Sequence, residues 1–237
     1  MCGRFLLTSP PEAVASAFNV DVRDNFPPRW NIAPTQPVAV IRIDDGKPIS
    51  SREPEYALMR WGFIPSWAKG DHLRRLISKP LINARSESAR EKPTFRAAWR
   101  RRRCLVAADG FYEWRRDENG RTPFRFTPSE RQTPIGFAGL WETAHDPDGG
   151  EIDTVAILTI ESGSDVQKLH HREPVVINPE CYKSWLASDK LDADAFGENI
   201  APAPAGFWLS SEVPKDLNNA RKDGPPLSPA SRQGELF

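Results

Sequence analysis

The sequence contains only three cysteines in 237 residues, at positions 2, 104 and 181, and no CxxC pair. An odd number of widely spaced cysteines argues against a disulfide framework and against a structural zinc site. Long apolar runs are also missing: the best, residues 37–43 and 155–160, are strand-sized, and the mean hydropathy is −0.54. We therefore expect no membrane span, no metal and no organic cofactor.

Signals for export and lipidation are absent as well. The first residues show no charged region followed by a long apolar core, so no signal peptide is predicted. Position 2 is Cys rather than the Gly that myristoylation requires. A cytoplasmic protein is the simplest expectation.

The charge is balanced overall but uneven along the chain. A formal net charge of zero argues against a protein that coats nucleic acid without selectivity. Residues 60–125 nevertheless hold 17 Lys and Arg against 7 Asp and Glu, whereas residues 126–237 hold 9 against 18. This asymmetry predicts one basic face, either a phosphate-contacting patch or simply a solvated surface.

The pattern of elements favours an α+β fold. Twenty-three prolines indicate many turns, and strands occur in consecutive runs, with a turn signal at Asp117–Gly120 and a second hairpin around residues 146–150. Residues 25–36 and 63–80 are predicted as long loops, and the composition from about Asp216 predicts flexibility. We expect one domain over residues 1–220, with a mostly antiparallel, barrel-like β core and peripheral helices, and a flexible tail over 221–237.

Cys2 is the most informative position. Removal of Met1 would leave an α-amine and a thiol on adjacent carbons, and this pair condenses with aldehydes to a five-membered thiazolidine. The reference pKa of the amine is about 7.7–8.0, so part of it is neutral near pH 7. The same residue could act as a thiol nucleophile with its own amine as base, or could be an ordinary strand residue.

Other candidate groups are less specific on their own. Glu113 stands between two aromatic residues, where a raised pKa would suit acid or base work, although a solvent-facing position is equally compatible. His170 and His171 are adjacent; we expect their rings to point apart, so that at most one is catalytic. Asn83 and Arg85 follow a short apolar stretch and suit hydrogen bonding and phosphate capture, or a helix cap and a surface ion pair.

Six segments in this order resemble the SOS-response-associated peptidase family, the abasic-site processing proteins. The resemblance covers about residues 2–220, and its segments are Met1–Phe5, Trp30–Thr35, Trp61–Trp67, Leu81–Glu87, Asp109–Trp114 and Leu169–Pro174. It implies recognition of abasic sites in single-stranded DNA and near strand junctions. It further implies capture of the ring-opened sugar aldehyde as a thiazolidine. A protein acting in this way would associate with the nucleoid at sites of damage.

The resemblance also implies roles for individual residues. Cys2 would form the covalent link, Asn83 would orient the N-terminus or the sugar, and Glu113 would move protons during Schiff-base formation. His170 would assist ring opening and reversal of the link. The remaining implied residues would contact DNA: Arg4 and Arg85 at phosphates, Trp67 as a wedge or stacking platform, and Asn31 in the pocket wall. Removal of Met1 as a peptidase activity and a lyase-like cleavage of DNA are also implied.

Two positions depart from the family pattern. His171 stands where the family often has Asp, and Glu173 where Met or Arg is more usual. An acidic residue near His170 could alter its pKa or weaken DNA contact there, so these departures put the role of His170 in doubt.

The last five residues, Gln233–Phe237, resemble the Gln-x-x-Leu-Phe peptide by which bacterial repair proteins dock on the sliding clamp. Gln233, Leu236 and Phe237 would make that contact. The protein is otherwise expected to be a monomer.

Two other functions remain open at this stage. Class II glutamine amidotransferases also begin Met-Cys-Gly, and a non-catalytic single-stranded DNA-binding module would not need Cys2 at all.

Overall fold

The computed structural model describes residues 2–118, 120–130, 133–145, 149–187 and 200–225. These residues form the following strands: β1 (Phe5–Leu7), β2 (Arg29–Ile32), β3 (Pro37–Ile43), β4 (Pro54–Trp61), β5 (Asn83–Arg85), β6 (Arg103–Ala108), β7 (Gly110–Asp117), β8 (Gly120–Pro128), β9 (Ile135–His145), β10 (Glu151–Glu161), β11 (Arg172–Pro174), β12 (Val176–Ile177) and β13 (Trp208–Glu212). The helices are α1 (Pro11–Phe18), α2 (Gly70–Ser78), α3 (Ser86–Ala89), α4 (Arg96–Arg101), α5 (Ser164–Gln167) and α6 (Tyr182–Leu186). Short 3-10 turns lie at Ile49–Ser51, Pro179–Cys181 and Lys215–Asn218.

Five strands close into a barrel-like ring. β10 pairs with β4, β4 with β3, β3 with β6, β6 with β9, and β9 with β10 again. The pairings of β10 with β4 and β5 are parallel, and the others in this sheet are antiparallel. A second antiparallel sheet has the order β13-β8-β7-β1-β2. The expected α+β, mostly antiparallel and barrel-like fold is confirmed.

Aromatic side chains join the two sheets. Phe5 of β1 lies 5.1 Å from Trp61 at the end of β4 and 6.2 Å from Phe137 of β9, measured between ring centroids. Phe111 of β7 contacts Phe137 at 6.5 Å. Because side chains alternate along a strand, the neighbours Leu6 and Tyr112 face the opposite side of the second sheet and form a separate small cluster there. The strands that carry the N-terminus and Glu113 are therefore fixed against the barrel.

The structure corrects two of the predicted loops. Within residues 63–80 the chain forms α2, whose Leu73 and Leu76 are buried against Ile64 and Ala144. Leu73, Leu76 and Ile77 follow helical spacing, but the helix is only nine residues long, begins at Gly70 and has no side-chain N-cap, so the usual start signal was missing. Within residues 25–36 the chain forms β2, which pairs with β1.

The segment after Asp216 is also more ordered than predicted. Leu217 is buried, and the Asp223 carboxylate accepts hydrogen bonds from the backbone of β2. The expectation of flexibility from about Asp216 is therefore wrong at least as far as Asp223. The clamp-like peptide, residues 233–237, lies outside the described residues.

Candidate active site

Cys2 is fully buried beside the strand that carries Glu113. Phe5 pairs with Phe111, and the Tyr112 amide donates to the Arg4 carbonyl at 3.0 Å. Continued toward the N-terminus, this antiparallel register brings the first residues of the chain alongside Glu113. The pairing of β1 with β7 is thus what places residue 2 in the site.

Asn83 holds the same residue from the barrel side. Its Nδ2 donates to the Cys2 carbonyl at 2.9 Å, and its strand β5 pairs with β10. The Asn83 Oδ1 atom is buried and has no hydrogen-bond partner among the described residues. An amide oxygen accepts hydrogen bonds, so this atom offers an acceptor for an amine or a hydroxyl next to Cys2.

Glu113 and His170 lie next to each other in the candidate site. The His170 Nδ1 atom lies 3.8 Å from Glu113 Oε1, and the glutamate is buried. Burial raises the pKa of Glu113, because a desolvated carboxylate is disfavoured relative to the neutral acid. Burial also lowers the pKa of His170, which favours the neutral ring. The pair is thus suited to exchanging protons with a bound molecule near neutral pH.

The turn that carries His170 is held by its own backbone contacts. The Arg172 amide donates to His170 Nδ1 at 3.0 Å, and Ser162 Oγ donates to the His170 carbonyl at 2.7 Å. The ring of His171 stacks on that of His170, with 4.5 Å between centroids and 26° between planes. The expectation that the two rings point apart is therefore wrong.

Burial also determines the protonation state of the Cys2 thiol. Desolvation, with a further contribution from the negative charge of Glu113, raises the pKa of Cys2 well above its ordinary value. The thiol therefore stays protonated at neutral pH. Cys104 is buried too, in agreement with its interpretation as a small apolar core residue.

Trp67 and Arg85, two of the predicted DNA-binding residues, are exposed. Trp67 is 54% exposed, and its indole stacks on His72 with 5.3 Å between centroids and 9° between planes. Arg85 is exposed at the end of β5. Because residues two apart in a strand share a face, Arg85 leaves β5 on the same side as Asn83, while Ala84 faces the core.

The other two predicted DNA-binding residues, Arg4 and Asn31, contact each other close to the N-terminal segment. An Arg4 guanidinium nitrogen donates to Asn31 Oδ1 at 2.6 Å and to the Leu217 carbonyl at 3.0 Å. Asn31 is buried, and its Nδ2 faces backbone carbonyls of the C-terminal segment, including that of Lys222 at 2.8 Å. Both side chains are thus already engaged inside the protein, and contact with DNA remains a prediction for them.

An ion pair that the sequence analysis did not predict holds the turn that carries His170. The two terminal guanidinium nitrogens of Arg172 donate to the Glu87 carboxylate, at 2.6 and 2.9 Å, and this pair ties β11 to α3. Both residues lie in the motifs quoted above, but only the fold shows that they meet. Glu173 is buried and accepts hydrogen bonds from the Gly163 and Ala203 amides at 3.2 and 2.7 Å. Its carboxylate therefore anchors the segment around residue 203.

Among the described residues, no group of three or more His, Cys, Asp or Glu side chains is arranged to hold a metal ion. No helix in the described ranges is long and apolar enough to cross a membrane.

The sequence is similar to curated proteins along almost its whole length. The abasic site processing protein YoqW of Bacillus subtilis (strain 168) is 33% identical over 231 residues, covering 96% of this chain and 98% of its own. The abasic site processing protein HMCES of Xenopus tropicalis is 28% identical and covers 98% of this chain and 83% of its own.

Solved structures show the same architecture. A protein of Bordetella bronchiseptica superimposes with a TM-score of 0.75 at 29% identity, and the match covers 90% of this chain and 100% of that protein. A protein of Bacteroides thetaiotaomicron, at 20% identity and a TM-score of 0.78 over 91% and 93% of the two chains, supports the fold alone. The family model described as SOS response associated peptidase (SRAP) matches residues 1–220, and the chain belongs to this family.

Proposed function

We propose that this protein recognises abasic sites in single-stranded DNA and links itself to them covalently through Cys2 after Met1 is removed. The observation that carries the proposal is the convergence of Cys2, Asn83, Glu113 and His170 from four separate segments of the chain. The names of the relatives, which are abasic site processing proteins, support the same substrate.

The chemistry starts at the sugar. An abasic deoxyribose is a cyclic hemiacetal, and neutral His170 accepts the proton of its C1′ hydroxyl as the bond between C1′ and O4′ breaks. His170 then passes this proton to O4′, and C1′ becomes an aldehyde. The lowered pKa of His170 suits it to this task because the ring must begin unprotonated.

The N-terminal amine of Cys2 then attacks C1′ and forms a carbinolamine. Burial raises the pKa of Glu113 and so favours its acid form, which gives a proton to the departing hydroxyl, and one water leaves as the imine forms. The Cys2 sulfur adds to the imine carbon, and the thiol proton passes to the nitrogen with Glu113 as carrier. The product is a thiazolidine, and the net loss is one water.

The protonation state of the Cys2 thiol supports this function over a glutamine amidohydrolase, the main alternative. A glutamine amidohydrolase needs a thiolate that attacks a carboxamide, whereas burial and the adjacent Glu113 keep the Cys2 thiol protonated. Amine-first condensation starts with a neutral thiol. Release of ammonia from glutamine would favour the amidohydrolase. Binding of the same DNA without any heat-stable adduct would favour a binding module, and a stable adduct that does not need Cys2 would point to another nucleophile.

The test is intact-mass spectrometry of the purified protein, with and without single-stranded DNA that contains one abasic site. We expect loss of Met1 and a heat-stable adduct with the mass of protein plus DNA minus one water. Cys2→Ala should abolish this adduct and leave at most a reducible Schiff base, from which lyase-like strand cleavage can start. Cys181→Ala, which changes a half-buried free cysteine outside the site, is the matched control. Undiminished heat-stable adduct with Cys2→Ala would falsify the proposal.

We further propose, from the sequence pattern alone, that Gln233, Leu236 and Phe237 dock on a bacterial sliding clamp. Full-length protein should then recover the clamp in a pulldown, and a variant lacking residues 233–237 should not. Equal recovery by both proteins would contradict this docking without affecting the chemistry at Cys2.

A further inference from the structure

The segment 213–223, which we call the C-terminal strap, packs across the second sheet. Val213 and Leu217 are buried against Leu6 of β1 and Tyr112 of β7. The indole N–H of Trp114, also on β7, donates to Asn218 Oδ1 at 2.6 Å. The strap thus contacts both the strand that follows Cys2 and the strand that carries Glu113.

Asp223 fastens the end of the strap to β2. Its Oδ1 accepts hydrogen bonds from the backbone amides of Trp30 at 2.7 Å and Asn31 at 3.1 Å, and its Oδ2 accepts one from Arg29 Nε. The Asp223 side chain is 23% exposed, so water only partly screens these contacts. Asp223 lies beyond residue 220, where the family match ends.

Asn31 continues the connection toward the N-terminus. Its Nδ2 faces the carbonyls of Leu217, Asn219 and Lys222, at 3.3, 3.1 and 2.8 Å. Its Oδ1 accepts a hydrogen bond from Arg4, which also donates to the Leu217 carbonyl. Arg4 is two residues from Cys2, and its own carbonyl receives the Tyr112 amide and contacts Cys2 Sγ at 3.7 Å.

We propose that Asp223 is a positioning residue, which acts through Asn31 and Arg4 to hold the N-terminal segment so that Cys2 faces Glu113. The inference rests on the proposed function for its chemical consequence. It also changes the roles of Arg4 and Asn31, because both would hold the N-terminal segment in place and would not contact DNA.

The first test is a single-turnover measurement of adduct formation with saturating abasic single-stranded DNA. For Asp223→Ala we expect the linking rate to fall about 10-fold, because small displacements of reacting groups are costly, while the dissociation constant for DNA stays within about twofold of wild type. Asp223→Asn should recover most of the rate, since its amide oxygen can still accept from both backbone amides.

Asp216→Ala is the matched control on the same strap. Asp216 is exposed, and its ion pair is with Lys222 inside the strap, so this variant should link at the wild-type rate. A wild-type rate for Asp223→Ala, or no recovery with Asp223→Asn, would overturn the positioning role.

A second test uses the salt dependence of DNA binding, measured before linking. Each lost phosphate contact lowers the slope of log affinity against log salt by about 0.7 for single strands. We expect Arg85→Ala to lower the slope by this amount and Arg4→Met to leave it unchanged while slowing the linking step. A slope reduced equally by Arg4→Met would assign Arg4 to a phosphate and contradict the proposal.

Amide hydrogen exchange tests the inference independently of the adduct. Asp223→Ala should accelerate exchange over residues 3–6, and Asp216→Ala should not. If the wild-type protein forms no adduct, the proposed function fails, but this comparison still decides whether the strap holds the N-terminus. Unchanged protection of residues 3–6 in Asp223→Ala would contradict the inference.

Discussion

At the scale of single residues, burial determines how the candidate site can react. Glu113, His170 and Cys2 all have pKa values shifted by desolvation, and each shift favours the neutral form. Shifts toward the acid form of Glu113, the neutral imidazole and the protonated thiol suit a condensation in which water leaves and protons are exchanged. On an open surface these pKa shifts would be absent, and a glutamate there would hold little of the acid form that expels water.

We expect Glu113→Gln to slow adduct formation about 100-fold, the usual contribution of a general acid-base group. Single-turnover rates with abasic single-stranded DNA measure the effect. Glu91→Gln, which changes an exposed glutamate, is the control and should link at the wild-type rate. Equal rates for Glu113→Gln and wild type would remove the assigned role.

The same variant tests the pKa shift through stability. The folded protein holds the Glu113 proton more tightly than the unfolded chain does, whose pKa is about 4.3. The stabilisation from this proton is therefore fully present below about pH 4.3 and is lost as the pH rises through the raised folded value. Glu113→Gln stays neutral, so it should melt above wild type at pH 7.5, and the difference should shrink toward pH 4.5. Calorimetry at both values checks the trend, and a constant difference would contradict it.

At the scale of elements, Asp109 sets the position of β1 on β7. Its Oδ2 accepts from the Thr8 amide, the Thr8 hydroxyl and the Ser9 amide at 2.6, 2.8 and 2.8 Å, and its Oδ1 accepts from the Ser9 hydroxyl at 2.7 Å. The next residue, Gly110, must be glycine, because a Cβ there would lie 2.2 Å from the Phe126 carbonyl oxygen. The pairing that brings Cys2 to Glu113 thus depends on this turn.

We predict that Asp109→Ala destabilises the protein by about 2–4 kcal/mol, because two partly buried backbone donors and two hydroxyls lose a charged acceptor. Chemical denaturation gives the change, and limited proteolysis near residue 8 locates it. Asp21→Ala, which removes an exposed acid paired with Arg23, should change stability by less than about 0.5 kcal/mol. A similarly small change for Asp109→Ala would show that other contacts fix β1.

At the scale of the whole molecule, Arg103 connects the barrel to its helices. The side chain is buried, and it donates to the carbonyls of Trp185 at 2.7 Å, Trp99 at 2.9 Å and Ala187. These acceptors lie at or near the ends of α4 and α6, where helix carbonyls lack intrahelical partners. A charged side chain in the core is therefore used as a shared cap for two helices.

We expect Arg103→Met to lower the free energy of unfolding by about 3 kcal/mol, because it leaves buried carbonyls without donors. For a chain of this length that is a fall in melting temperature of about 6–12 °C. Arg101→Met, at an exposed position of α4, should shift it by less than about 2 °C. Equal melting temperatures for the two variants would rule out the capping role.

Local patterns were sufficient for much of the fold. Strand-length apolar runs, Pro11 at the start of α1 and the hairpin around residues 146–150 predicted elements that the structure contains. The α2 helix was missed because it is short, begins at Gly70 and has no side-chain N-cap, although Leu73, Leu76 and Ile77 have helical spacing. The ordered strap was missed because its stability comes from Asn31 and Asp223, whose contacts join residues almost 200 positions apart.

The sequence alone determined which chemical groups this protein carries: an N-terminal amine and thiol once Met1 is gone, a carboxyl among aromatics, and an imidazole. Whether those groups meet, and in which protonation state, was decided only by the tertiary structure. Strand register brings Cys2 to Glu113, and the desolvation that shifts their pKa values arises from atoms contributed by the whole fold. Covalent identity belongs to each residue by itself, whereas distance and dielectric environment are properties of the packed chain.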